Sequence, residues 1–301
     1  MNKKAPASPA IAFAVCCAGV ALFSVMDAAM KGLSLWIGVY NALLWRALAG
    51  SGIGIVGMVA LRNAWPTGAV LRIHVLRGVV VGFMAFFFFI GLTKLPMAEG
   101  IALTFVAPLI ALYLAALLLK ESIGRHAVIA SLLGLAGVGV ILSGRLQGDY
   151  DPDALIGAGA TLISAVLFAW NLIIQKQQAD VASPVEVAFF QHLVMFALFL
   201  PAAPWLAVAP GFAQVPLILA AAGLAFASLM CLSWAYARAE AQRLIPVEYS
   251  AFVWAAIMGW LAFGETISLA TLAGTVLIVA GCLISARRET ALVPHVEGST
   301  A

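Results

Sequence analysis

Apolar residues run through this chain in ten long stretches, near 10–30, 38–61, 74–93, 97–119, 126–144, 154–175, 185–207, 214–237, 244–263 and 268–286. A helix rises 1.5 Å per residue, so about 20 apolar residues cross the hydrocarbon core of a bilayer. Each stretch therefore predicts a membrane-spanning helix, and together they predict an all-α integral membrane protein of ten transmembrane helices. The breaks between them are short and polar, with no room for a folded aqueous domain. Residues 289–301 read as a polar cytoplasmic tail.

Composition strengthens that reading. The chain has 301 residues, of which 64% are hydrophobic and 10% charged, where a soluble domain carries about 25% charged residues. Mean hydropathy is +1.08. These values exclude a soluble enzyme, a nucleic-acid-binding module and a disordered scaffold. Cys16, Cys17, Cys231 and Cys282 all lie in apolar runs without Cys-x-x-Cys spacing, so neither a disulfide framework nor a thiolate metal site is expected. The first run follows Lys3 and Lys4 but reads as a retained span, not a cleaved signal. With a cytoplasmic N-terminus, the inner side receives Lys3, Lys4, Arg62, Arg72, Arg77, Lys120, Arg125, Lys176, Arg238, Arg243, Arg287 and Arg288. The outer side receives only Lys31, Lys94 and Arg145. Cytoplasmic loops concentrate lysine and arginine, so both termini are expected in the cytoplasm and the chain in the inner membrane. Asp149, Asp151 and Asp153 form an acidic outer loop. Its sixth and twelfth positions, Ala154 and Ala160, lack the glycine and glutamate of a calcium loop.

The chain also resembles itself. A shift of about 145 residues brings Leu22-Phe23 onto Leu167-Phe168, Lys31 onto Lys176 and Trp45-Arg46 onto Phe190-Gln191. A shift shorter by one brings Glu121-Ser122-Ile123 onto Glu265-Thr266-Ile267 and Gly137 onto Gly281. Each half holds five spans. Five is odd, so the second half enters the membrane from the opposite side, and a direct repeat in sequence predicts two inverted five-helix repeats in space.

The segments Pro108-Leu109-Ile110 through Leu119-Lys120-Glu121 and Gly259-Trp260-Leu261-Ala262-Phe263-Gly264-Glu265, each followed by a glycine-bearing span (Gly134/Gly137, Gly274/Gly281), carry a family resemblance. Over residues 10–286 the chain resembles the drug/metabolite transporter superfamily, EamA type. The resemblance implies two EamA-like repeats, 1–145 and 146–288. It also implies transport of small metabolites, with bacterial aromatic amino acid exporters near in outline and uptake members for S-adenosylmethionine or riboflavin sharing it. One departure is that Phe252 stands where the first half has Pro108, the second-half proline coming earlier at Pro246.

An ionisable side chain at mid-membrane costs about 2.5–3.5 kcal/mol to insert, so each requires a reason. Asp27 can pair with Lys31 one turn on or with Arg46, deep in the second span, which needs an anion. Glu99 stands at the start of the fourth span beside Lys94, and Glu248-Tyr249 lies in the ninth, two residues after Pro246. Trp170-Asn171 sits inside the sixth span, and Gln191, next to His192, matches Arg46 by the repeat. Asp27, Arg46, Glu99, Trp170, Asn171, Gln191, Glu248 and Tyr249 are thus the candidate substrate-binding residues, with Pro108 and Pro246 as candidate gating bends. His74, His126 and His295 are expected in loops or the tail. Gly50, Gly52, Gly54 and Gly57 read as a face for close helix approach. No Gly-Lys-Ser/Thr loop, Asp-Asp-x-x-Asp or His-Glu-x-x-His occurs, which leaves an ATP-driven pump or a membrane enzyme unsupported. With Arg46 the only arginine expected deep in a span, an amphipathic solute suits the chain better than a phosphorylated one. The expectation is a secondary transporter moving an aromatic or hydrophobic amino acid outward, with uptake of S-adenosylmethionine or riboflavin as the alternative. Its partners are a small-molecule substrate and the lipid bilayer, with no nucleic acid, no metal and no cofactor; a monomer and a homodimer both fit.

Overall fold

The computed structural model describes residues 9–119, 125–146, 152–179, 181–236, 238, 247 and 249–289. Among them there is helix and no strand. The helices are α1 (Pro9–Ile37), α2 (Val39–Ala60), α3 (Gly68–Lys94), α4 (Met97–Thr104), α5 (Ala107–Leu119), α6 (Arg125–Leu146), α7 (Pro152–Ala179), α8 (Pro184–Phe199), the short α9 (Ala203–Leu206), α10 (Val215–Tyr236), α11 (Ala251–Phe263) and α12 (Leu269–Glu289). Six described segments, in α1, α2, α3, α7, α8–α9 and α10, are long and apolar enough to cross a membrane, and shorter apolar helices accompany them. Lipid supplies no hydrogen-bond partners, so backbone groups are satisfied within each helix. The protein is a multi-pass membrane protein.

Local chemistry explains where the helices stop. Ser183 accepts from the Glu186 backbone N–H at 3.2 Å, and the Glu186 carboxylate reaches back to the Ser183 N–H at 3.4 Å, a capping box that starts α8. The expected fourth span, 97–119, is not one helix but α4 and α5. Pro108 has no N–H and its ring crowds the carbonyl four residues earlier. The chain tightens there to i→i+3 bonds, Phe105 N–H to Ala102 O and Val106 N–H to Leu103 O, before α-helical bonding resumes with Ile110 N–H to Val106 O. The expected third span, 74–93, starts earlier, at Gly68, which moves His74 and Arg77 from the first turn of the expected span to beyond the first turn of the helix.

Helices from the two sequence halves pack against each other: α1 on α10, α2 on α8, α3 on α7 and α6 on α12. Glycines set the closest approaches. A Cβ on Gly50 would stand 2.0 Å from His192 Cδ2, and one on Gly54 2.9 Å from the Phe189 Cα. Gly57 also faces α8, but Gly52, expected on the same face, meets nothing within 4 Å. Gly137 and Gly274 bring α6 and α12 together, each Cβ position about 2.5 Å from the other's carbonyl oxygen (2.6 and 2.5 Å). Four buried apolar clusters result among the described residues, two of them large. One joins α4–α5, α7 and α11 around Met97, Leu103 and Ala165; the other joins α2, α3, α8 and α10 around Leu43, Phe89 and Met195.

Candidate functional site

Three polar groupings occupy the bundle at different depths. The middle one surrounds Arg46. Seven residues into α2, it lies about 10 Å below that helix start at 1.5 Å per residue, and it is buried. Its two terminal nitrogens approach only thioethers, Met26 Sδ at 3.7 Å and Met195 Sδ at 3.5 Å, and its Nε has no partner. Thioether sulfur is a weak acceptor, so the guanidinium is under-satisfied. Asp27, buried on α1, feels the Arg46 charge, but no ion pair within 4 Å joins them among the described residues. His192 donates from Nδ1 to the Ala188 carbonyl at 2.8 Å, leaving Nε2 buried without a partner, as is Gln191 Oε1. Unmet donors and acceptors thus cluster on α2 and α8 where a buried polar group ordinarily finds a partner.

The second grouping lies at the bundle end that carries Gly38, Leu95 and Gly264. Lys31 does not pair with Asp27 as its i,i+4 spacing suggests. It donates to the Leu95 carbonyl at 2.7 Å and forms an ion pair with Glu265, with its ammonium 5.1 Å from the centre of the Phe263 ring. The second Glu265 oxygen accepts the Met97 N–H at 2.7 Å. The sequence builds this locally. Gly264 takes φ 66°, and the bonds Gly264 N–H to Trp260 O and Glu265 N–H to Gly259 O close α11 in a left-handed glycine cap. Gly259 leaves the space the carboxylate needs, since a Cβ there would stand 2.5 Å from Glu265 Oε2. Beside the pair lies a cavity of about 450 Å³, lined by Glu99, Phe263, Glu265, Ser268 and Thr271 among others.

The third grouping lies at the opposite end. Arg77 donates from Nε to Asn171 Oδ1 at 3.0 Å and also donates to Gln178. Gln178 donates to His74 Nδ1 at 2.7 Å, and His74 Nε2 donates to Glu186 at 2.9 Å while its ring stacks on Phe190. The tautomer follows from these partners. Four buried polar side chains on α3 and α7 thereby join the capping box of α8.

Several sequence expectations change. His74 is not a loop residue, and Arg77 is not exposed at the cytoplasmic side; both are buried members of α3, so Arg46 is not the only arginine deep in a span. Lys94 pairs with Asp153 at 2.5 Å, and not with Glu99; Glu99 is buried and lines the cavity. Asn171 serves Arg77. Trp170 is 51% exposed and continues the outward stripe of Ile156, Ile163 and Val166 along α7, so the structure does not bring it to Arg46. Tyr249 is half-buried, its ring edge-to-face with Phe105 at 5.2 Å between centroids. Glu248 and Pro246 lie outside the described residues, as do Asp149 and Asp151. Among described residues no group of three or more His, Cys, Asp or Glu could hold a metal.

Sequence reasoning missed the roles of Lys31 and Glu265. A signal existed: the internal repeat puts Lys31 on Lys176 and Glu121 on Glu265, so both charges are duplicated.

Comparison with known proteins bears on this arrangement. The sequence model of the EamA-like transporter family matches residues 10–143 and again residues 155–287. An S-adenosylmethionine uptake transporter of Rickettsia prowazekii (strain Madrid E) is 26% identical over 227 residues, 75% of this chain and 74% of that protein. The pseudopaline exporter CntI of Pseudomonas aeruginosa (strain UCBPP-PA14) is 25% identical over 268 residues, covering 89% and 93%. A riboflavin transporter of Vibrio cholerae is 29% identical over 171 residues, covering 56% and 55%. A solved crystal structure aligns over 94% of this chain and 99% of its own with TM-score 0.58 and 25% identity.

Proposed function

This chain belongs to the EamA-like transporter family, and we propose that it moves a small amphipathic carboxylate, an amino acid with an apolar or aromatic side chain, outward by alternating access. The observation that carries this reading is the Arg46 guanidinium, buried with only two thioethers at its terminal nitrogens and an orphan Nε. A buried guanidinium is stabilised by a planar anion that takes two parallel hydrogen bonds. A substrate carboxylate is that anion, with Met26 and Met195 yielding as adaptable neighbours. Asp27 and the Gln191 carbonyl oxygen then stand as acceptors for an ammonium group.

Two inverted repeats, 1–145 and 146–288, frame the site. In support, the family matches twice along the chain, and the pairing of α1 with α10 and α3 with α7 maps onto itself when the halves exchange. Alternating access then rearranges the halves about the site, with the break at Pro108 absorbing part of the change. The Leu95 end faces outside. Removing Arg77 and Lys31 from the loop tally, because both are buried, leaves eleven basic residues inside against two outside.

A second reading has its own support, the S-adenosylmethionine uptake named for the Rickettsia relative. That solute also carries an amino-acid carboxylate for Arg46, and it would run inward. Proteoliposomes distinguish the two. Saturable efflux of tryptophan or phenylalanine, lost in Arg46→Gln, is expected. Saturable inward flux of S-adenosylmethionine alone would favour the second reading, and neither flux with a folded protein would remove both.

A further inference from the structure

Lys31 and Glu265 are 234 positions apart, yet they form an ion pair in which Lys31 is buried and Glu265 half-buried. The pair ties three places at one end of the bundle: α1, the α3–α4 junction through Leu95 O and Met97 N–H, and the α11–α12 connection. Lys31 follows Asp27 by one helical turn, so it stands on the same side of α1, about 6 Å nearer the end. Ala28, one turn below Lys31, is buried in the cluster that contains Leu95, Met97 and Phe252. Any route from Arg46 and Asp27 to the Leu95 end along this face of α1 passes Lys31 and Glu265.

The pair is also built to separate. Its second partner on each side is a single backbone group, which water can replace once the end opens. The Glu265 carboxylate rests against Gly259 and not against a side chain at that position. The cavity of about 450 Å³ beside it gives the connection room to withdraw. A buried pair is worth little net stability against apolar residues of the same shape, but losing one partner is costly. Such a pair therefore favours one arrangement of the halves over another more than it stabilises the fold.

We propose that Lys31 and Glu265 are the bolt of the outer gate: joined, they close the Leu95 end, and their separation opens the central site to the outside. The inference rests on the transporter reading, and its test reads access, not flux. Ala28→Cys is placed in a chain whose four native cysteines are replaced by serine or alanine, and intact cells are treated with a membrane-impermeant maleimide. With the bolt intact, labelling is slow. Glu265→Gln keeps an acceptor for the Met97 N–H but removes the charge, and Lys31→Met removes the other partner. Each is expected to speed external labelling roughly tenfold, about 1.4 kcal/mol in the balance of closed and open arrangements, and the exchange Lys31→Glu with Glu265→Lys is expected to slow it again. Unchanged labelling in both single variants, with wild-type melting temperature, would overturn the gate. As a variant that keeps the closed arrangement, Lys31→Cys with Glu265→Cys at reporter Ala28→Ser is oxidised and reduced in proteoliposomes. Oxidation is expected to stop exchange of a transported solute and reduction to restore it; exchange that continues through a formed disulfide also overturns the gate. A chain in which labelling responds but no solute moves would sink the substrate reading and leave the gate standing.

Discussion

Phe105 and Tyr249 meet edge-to-face, their ring centroids 5.2 Å apart, and 144 positions separate them, the shift that lays Glu121 on Glu265. Equivalent positions of two sequence halves touch only near an axis that exchanges the halves. Phe105 sits at the break between α4 and α5, and Tyr249 just before α11. The contact therefore joins the α4–α5 break of the first half to the start of α11 in the second.

Orientation can be read directly. Tags at either terminus are expected to be reached by antibody only after the cytoplasmic membrane is permeabilised, while Asp151→Cys reacts with an impermeant thiol reagent from outside. Termini accessible on intact cells would reverse the topology.

Asp27 and Arg46 are both buried without an ion pair within 4 Å, so they are not each other's sufficient partner. Arg46→Gln is expected to weaken substrate binding at least tenfold, about 1.4 kcal/mol, even in an Asp27→Asn background. The readout is the ligand-induced rise in melting temperature, which scales with affinity by mass action. Should the double variant bind as wild type does, the guanidinium is architecture and the carboxylate site lies elsewhere.

Trp170 continues an exposed apolar stripe on α7. Trp170→Ala is therefore expected to leave the ratio of tryptophan to alanine flux unchanged. A selective loss for tryptophan would return this residue to the recognition site.

Gly50 and Gly52 give a paired comparison. A methyl group on Gly50 would collide with the His192 ring, whereas one on Gly52 meets nothing within 4 Å. Overpacking of that kind costs about 1–3 kcal/mol, so Gly50→Ala should lower the melting temperature in detergent while Gly52→Ala should not. Equal behaviour of the two would mean that α2 and α8 are not packed as described.

Which segments become helices was decided along the chain itself. In lipid a backbone must satisfy its own hydrogen bonds, so six of the ten runs read from the sequence reappear as helices long enough to cross a membrane, with shorter apolar helices in the other four. Pro108 and Gly264 likewise act on their own neighbours, through a missing N–H and a left-handed turn. Charge partners are different. Lys31 has Asp27 one turn away and pairs instead with Glu265, and Arg77, at the cytoplasmic end of its expected span, is buried against Asn171 and Gln178. Helical period says which residues share a face but not which helix that face will meet, and the electrostatic choice is made only after packing has removed water and brought distant acceptors within 3 Å. For that reason Arg46 could be named from the sequence as a buried charge, while its thioether contacts and the lack of an ion pair within 4 Å of it among the described residues emerged only from how α1, α2 and α8 come together.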